Sequence, residues 1–256
     1  MMYGLSSEQD PTLLQALREQ GMPFCVQSRT QLERLSILGA ARESVSYSPA
    51  FPVGDAVVSL QASKPSTITI GSTAALQRLL GDHRSFQDAF GYAPRVHVLL
   101  RFGSGDQAQT EALAVRAYQN PEKVMELISV LKQAGVQSFG LSALVVNTNG
   151  ASKPYAQAAT ALKLASSKMA QAGVSLESVQ LLGGLCDSAT VMRQTQRPLQ
   201  KYLGELNAII TDLKASVCGQ HSRHDIAVSV DAGQVLVGHV PILSRITNVV
   251  RRPGNP

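Results

Sequence analysis

Short β-branched runs alternate eight times with longer helical patterns, no strand–strand hairpin signal occurs, and the chain is 256 residues long. Together these predict a (β/α)8 TIM barrel. Strands joined through helices run parallel with right-handed crossovers. Eight such units in about 250 residues is the size at which a parallel sheet closes on itself. A doubly wound open sheet is the alternative. The last helical segment ends close to the last residue, so one domain is expected over residues 1–256.

The elements follow in order. Met2 to Ser6 is the first strand. Asp10-Pro11-Thr12 then supplies an N-cap with proline in the first turn. Leu13, Leu14 and Leu17 line one face of that helix, and Gly21 ends it. Pro23 to Ser28 is strand two, followed by a helix from Thr30 to Leu38 closed by Gly39. Strand three is Ser44 to Ser48, with a helix over 54–61. Ser66 to Ile70 is strand four, and Ser72 or Thr73 caps a helix from Ala74 to Leu80. Strand five, Arg95 to Phe102, leads through Gly103 and Gly105 to a helix from Pro121 to Ala134. Gln137 to Val146 is strand six, and Pro154 to Ala172 is an amphipathic helix stopped by Gly173. Ser178 to Leu182 is strand seven, with its helix over Leu199 to Ala215. Asp225 to Val230 is strand eight, and a last helical segment lies near Val240 to Val250.

Composition narrows the class. With 44% hydrophobic and 16% charged residues, the chain can bury a core and is not disordered. No apolar run approaches the about 18 residues of a membrane span. The start, Met1 to Glu8, lacks a basic region followed by an apolar one, so no signal peptide is read there. Cytoplasmic residence is the default, or an organelle such as the mitochondrion if a transit peptide has been removed. Three cysteines, Cys25, Cys186 and Cys218, are too few and too far apart for a disulfide framework or zinc ribbon. No metal site is expected. Nucleic acid is an unfavoured partner: there is no tryptophan, and the net charge of +5 is spread among alternating signs except at Arg251-Arg252.

In such a barrel, chemistry sits at the C-terminal ends of the strands. There the sequence places Ser6, Cys25 to Ser28, Ser48 to Phe51, Gly71-Ser72, Arg101 to Gly103, Leu144 to Thr148, Gly183 to Asp187, and Asp231 to Gln234. Only Arg101, Asp231, Asp187 and Cys25 carry reactive groups, and neither lysine nor histidine lies at a strand end. That is a thin set for acid–base work or a Schiff base.

The same segments resemble, in order, the barrel domain of the fold type III, alanine-racemase-like, pyridoxal-phosphate-dependent decarboxylases of ornithine, arginine and diaminopimelate, ornithine decarboxylase most of all. Tyr3-Gly4-Leu5-Ser6 is similar to that family's Tyr-Ala-Val-Lys strand. Pro23 to Leu32 is similar to its Gly-Phe-Asp-Cys-Ala-Ser-Lys-x-Glu-Ile segment, and Val45 to Ala50 to its Ile-Ile-Tyr-Ala-Asn-Pro strand. Val98 to Arg101 resembles Leu-Leu-Arg-Ile, and Gly140-Leu141-Ser142 the start of Gly-Val-Ser-Phe-His. Leu182-Gly183-Gly184 resembles the triple-glycine phosphate loop, and Asp231-Ala232-Gly233-Gln234 the Glu-Pro-Gly-Arg motif. The likeness covers the whole chain and implies the barrel without the family's C-terminal β domain.

The departures from the family pattern carry the functional expectation. The cofactor lysine falls on Ser6, the aspartate after Gly-Phe on Cys25, and the nearby glutamate on Gln31. The ring-stacking histidine falls on Leu144 and the phosphate-binding arginine on Gln234. Arg101, Gly183, Gly184, Asp231 and Gly233 survive as a residual anion site. The resemblance therefore implies a pseudoenzyme without catalytic residues and without covalently bound pyridoxal phosphate. It would serve as a structural or regulatory subunit, paired with an active decarboxylase or built into a large assembly. Its contacts are expected at the strand-end loops Ser48 to Val53 and Gly103 to Thr110, where Phe51 and Phe102 would be exposed. The alternative is a non-covalent binder of a small molecule or phosphate-type anion at the residual site.

Several other residues have simpler readings. Cys25 has no basic neighbour in sequence and reads as a small buried side chain. His221 to His224 precedes strand eight and reads as a turn. His97 alternates with apolar neighbours and reads as a satisfied interior histidine. Cys186 and Asp187, after the glycine pair, are candidates for touching a ligand.

Overall fold

Eight strands form a single parallel sheet in strict sequence order. They are β1 (Tyr3–Gly4), β2 (Phe24–Val26), β3 (Val45–Tyr47), β4 (Thr67–Ile70), β5 (Arg95–Gly103), β6 (Phe139–Val146), β7 (Leu176–Leu182) and β8 (Ala227–Val230). The structure, a computed structural model, describes residues 2–5, 10–48, 57–103, 121–146, 151–183, 185, 191–192, 195–196, 198–223 and 225–231. The sheet curls until Met2 and Asp231 form a parallel bridge, with the Met2 N–H donating to the Val230 carbonyl at 2.9 Å. This joining of the two edges is the barrel that the sequence predicts, in place of an open doubly wound sheet.

The connecting helices are α1 (Pro11–Glu19), α2 (Arg29–Ile37), α3 (Val57–Ser63), α4 (Thr73–Leu80), α5 (Phe86–Phe90), α6 (Pro121–Gln133), α7 (Lys153–Gln171) and α8 (Leu199–Gln220). The starts of α1, α2, α4 and α5 follow from side-chain caps, which satisfy amides that have no partner inside the helix. Asp10 Oδ1 accepts from the Thr12 and Leu13 amides at 2.9 and 3.2 Å. Ser28 Oγ accepts from Gln31 N. Of the two candidate caps for α4, Ser72 is the one used, accepting from Ala75 N at 3.1 Å.

Several elements differ from the sequence expectation, α5, α8, β7 and β8 among them. α5 is an additional helix: Ser85 caps it through Asp88 N, and Gly91 ends it at φ +71°. Phe86, Ala89 and Phe90 are its buried residues. α8 continues to Gln220, because Val217 extends the buried stripe of Tyr202, Leu206 and Leu213. β7 starts earlier, at Leu176, where the pairing with β6 shifts register between Phe139 and Gly140. β8 starts later, at Ala227, since Asp225 is held by the Arg223 guanidinium (2.6 and 2.8 Å) ahead of the strand. The helical segment expected near Val240 to Val250 lies outside the described residues.

Side chains alternate across each strand. One set packs against the helices in the main core, including Tyr3, Phe24, Val26, Tyr47, Ile68, Val98, Leu141 and Val179. The other set faces the barrel interior and divides into a polar part and a small apolar part. No helix among the described residues is long and apolar enough to cross a membrane.

Candidate functional site

The polar part of the interior is organised around His97, which is fully buried. Its Nδ1 lies 2.8 Å from Ser142 Oγ and its Nε2 2.8 Å from Ser178 Oγ. Ser142 Oγ donates to Gln180 Oε1 at 3.2 Å, and Gln180 Nε2 donates to Ser46 Oγ at 3.3 Å. A hydroxyl has a single proton. Ser142 gives its proton to Gln180 and so accepts from His97 Nδ1–H. Nε2 then accepts from Ser178. The chain Ser178, His97, Ser142, Gln180, Ser46 thus runs in one direction through strands β7, β5, β6, β7 and β3. Burial, and then the charge of Arg95, lower the His97 pKa to about 3, against a smaller upward pull from a backbone hydrogen bond at Leu141. The imidazole is neutral near pH 7. Gly140 leaves the room for it, because a Cβ there would lie 2.2 Å from His97 Nε2.

The apolar part comprises Met2, Cys25, Leu99 and Leu182, with half-buried Leu144 packed against them. Leu182 ends β7, and Leu144 pairs in register with both Leu182 and Arg101. The cluster therefore fills the interior at the level where β7 ends. Cys25 is buried in it, and burial together with the Asp231 charge pushes its thiol pKa up. A protonated, enclosed thiol is a packing group and a poor nucleophile.

Asp231 follows β8 and is 4% exposed. Its Oδ1 accepts from the Gly4 amide at 3.0 Å, and its backbone carbonyl accepts from Leu185 N at 3.1 Å. Gly183 adopts φ +103°, and a Cβ there would lie 2.1 Å from the Val145 carbonyl oxygen. Glycine at this position is required by backbone packing. Gln31 turns inward on its own helix end, where its Oε1 accepts from Gln27 N at 2.7 Å.

Of the residues singled out from the sequence, the structure thus brings Cys25, Leu144 and Asp231 together in the interior, with Gly183 directly after β7. Gln31 serves the β2–α2 turn. Arg101 is placed by its backbone in β5. Ser6, Gly184, Cys186, Asp187, Gly233, Gln234, Phe51 and His224 lie outside the described residues. His221 stands at the end of α8, its Nε2 3.2 Å from Ser166 Oγ. No group of three His, Cys, Asp or Glu side chains able to hold a metal occurs among the described residues. The partners of His97 were not foreseen, because they stand 45 and 81 positions away. The available signal was the polar residues at alternate strand positions, Ser142 and Ser178-Gln180.

A family model described as pyridoxal-dependent decarboxylase, pyridoxal binding domain, matches residues 1–238. The chain belongs to this family. Solved structures similar to this decarboxylase-family barrel include the Paramecium bursaria Chlorella virus arginine decarboxylase bound to agmatine, with a TM-score of 0.69 at 13% identity. Lysine decarboxylase from Selenomonas ruminantium superposes with a TM-score of 0.67 at 14% identity. Ornithine decarboxylase from Entamoeba histolytica gives 0.63 at 15%. These matches cover 91%, 90% and 90% of this chain but only 57%, 55% and 57% of the three enzymes. The chain therefore spans little more than half their length. No curated protein matches it in sequence.

Proposed function

We propose that this barrel is a non-catalytic member of the decarboxylase family that works as a protein-interaction subunit. One observation carries the proposal: the interior at the level where β7 ends is filled by an apolar cluster of Met2, Cys25, Leu99, Leu144 and Leu182. The residues present do not fit pyridoxal phosphate. Ser6, at the family's lysine position, has no amine for an imine. Leu144 and Gln234 take the places of the ring-stacking histidine and the phosphate-binding arginine, and Asp231 already accepts from the Gly4 amide.

The same geometry weakens the residual anion site. The Leu185 amide, just after the glycine pair, is spent on the Asp231 carbonyl. Gly183 answers to the Val145 carbonyl, and the Asp231 carboxylate beside them repels an anion. A barrel without catalytic groups acts through its surfaces, and the strand-end loops Ser48 to Val53 and Gly103 to Thr110 are the proposed contact, with an active decarboxylase or a larger assembly as partner.

Two experiments test this. Purified protein mixed with pyridoxal phosphate is expected to show no imine absorbance, no borohydride-trapped adduct and no decarboxylation of ornithine, arginine, lysine or diaminopimelate. A stoichiometric adduct, on Lys64 or Lys153 for example, would overturn the non-catalytic part. Crosslinking in the native source is expected to join the two loops to a partner. Crosslinks confined to the outer helices would overturn the placement.

A further inference from the structure

The β8–β1 seam has an unusual fastening. Beside the Met2–Asp231 bridge and its Met2 N–H to Val230 carbonyl bond, a side chain joins the described part of the seam: Asp231 Oδ1 accepts the Gly4 amide at 3.0 Å in a buried setting. The fit is close, since a Cβ on Gly4 would lie 2.6 Å from Asp231 Oδ2 and 2.9 Å from Oδ1. The backbone of Asp231 is tied to the neighbouring strand as well, its amide to the Leu181 carbonyl at 2.9 Å and its carbonyl to the Leu185 amide at 3.1 Å. One residue thus couples β7, β8 and β1. Cys25, paired in register with Gly4, feels the Asp231 charge and is enclosed behind it.

We infer that the Asp231 carboxylate is a latch that holds the barrel shut between its first and last strands, and that Gly4 is glycine so that the latch can close. The bond is charge-assisted and buried, the kind whose loss leaves an amide unsatisfied.

The test uses hydrogen exchange and thiol alkylation, both read peptide by peptide on the full chain. Asp231→Ala is expected to speed exchange in the Met2–Leu5 segment and alkylation of Cys25 by about tenfold or more, the scale of a lost buried hydrogen bond to a charged group. Exchange in β5 and β6 is expected to stay at the wild-type rate. Asp231→Asn, which keeps an acceptor oxygen, is expected to retain most of the protection against hydrogen exchange in Met2–Leu5. Gly4→Ala is the second variant, should Asp231→Ala fail to fold, and is expected to open the same segment by displacing the carboxylate. The latch is overturned if both Asp231→Ala and Gly4→Ala leave the seam protected, or if either loosens all strands equally.

Discussion

At the scale of single residues, His97 gives the clearest test of the interior. The unfolded chain protonates this side chain near pH 6.5, whereas the folded one resists to about 3. Between those values the unfolded state binds more protons, so stability rises with pH there. The His97 contribution is complete above about pH 6.5 and is lost as the pH falls toward 3. His221, also lowered by burial, acts in the same direction. His97→Gln, which can still donate to one serine and accept from the other, is expected to remove about one proton from this linkage. The slope of unfolding free energy between pH 4 and 6 should then flatten by roughly 1.4 kcal/mol per pH unit, measured by denaturant titration. Gly140→Ala should destabilise by about 1–3 kcal/mol through overpacking against the imidazole. His97→Ala removes the obstructing ring, so the double variant should be less unstable than the sum of the two singles.

At the scale of elements, the legible parts of the sequence were those in which local chemistry and tertiary packing agree. Asp10 and Ser72 each cap a helix where the sequence has a polar residue before an apolar stripe, whereas Ser28, read as the end of strand two, caps α2. Ser72→Ala is expected to cost about 1 kcal/mol, read from chemical denaturation, with Ser72→Asp close to neutral. The five-residue helix α5 was missed because it is shorter than the periodicity that reveals a helix, although Ser85 and Gly91 bracket it. The end of α8 was missed because Lys214 and Ala215 sit on its exposed side and hide that Val217 resumes the buried stripe. At the site, Cys25, Leu144 and Gln31 were singled out from the family pattern alone. Their joint consequence was not legible there. The register that packs Leu144 against Leu182 and Cys25, and the carboxylate that reaches Gly4 across 227 positions, are properties of the closed sheet.

At the scale of the whole molecule, the barrel is asymmetric. β5, β6 and β7 are nine, eight and seven residues long, and their ladders run nearly their full length. They also hold most of the buried hydrogen-bond chain, and the Arg95–Glu177 ion pair at 2.7 Å spans the beginnings of β5 and β7. β1 to β4 are described as two to four residues each. Local opening follows the density of buried contacts, so this sheet should open from its seam and first strands and last at its long strands. Native-state hydrogen exchange is expected to be slowest at Val96 to Leu100, Leu141 to Ala143 and Val179 to Leu181, approaching the global unfolding limit. Met2 to Leu5 should exchange faster, through sub-global opening that the Asp231 bond restrains without abolishing. Uniform protection around the barrel would mean that the sheet opens as one unit, and the asymmetry of strand length would then carry no energetic weight.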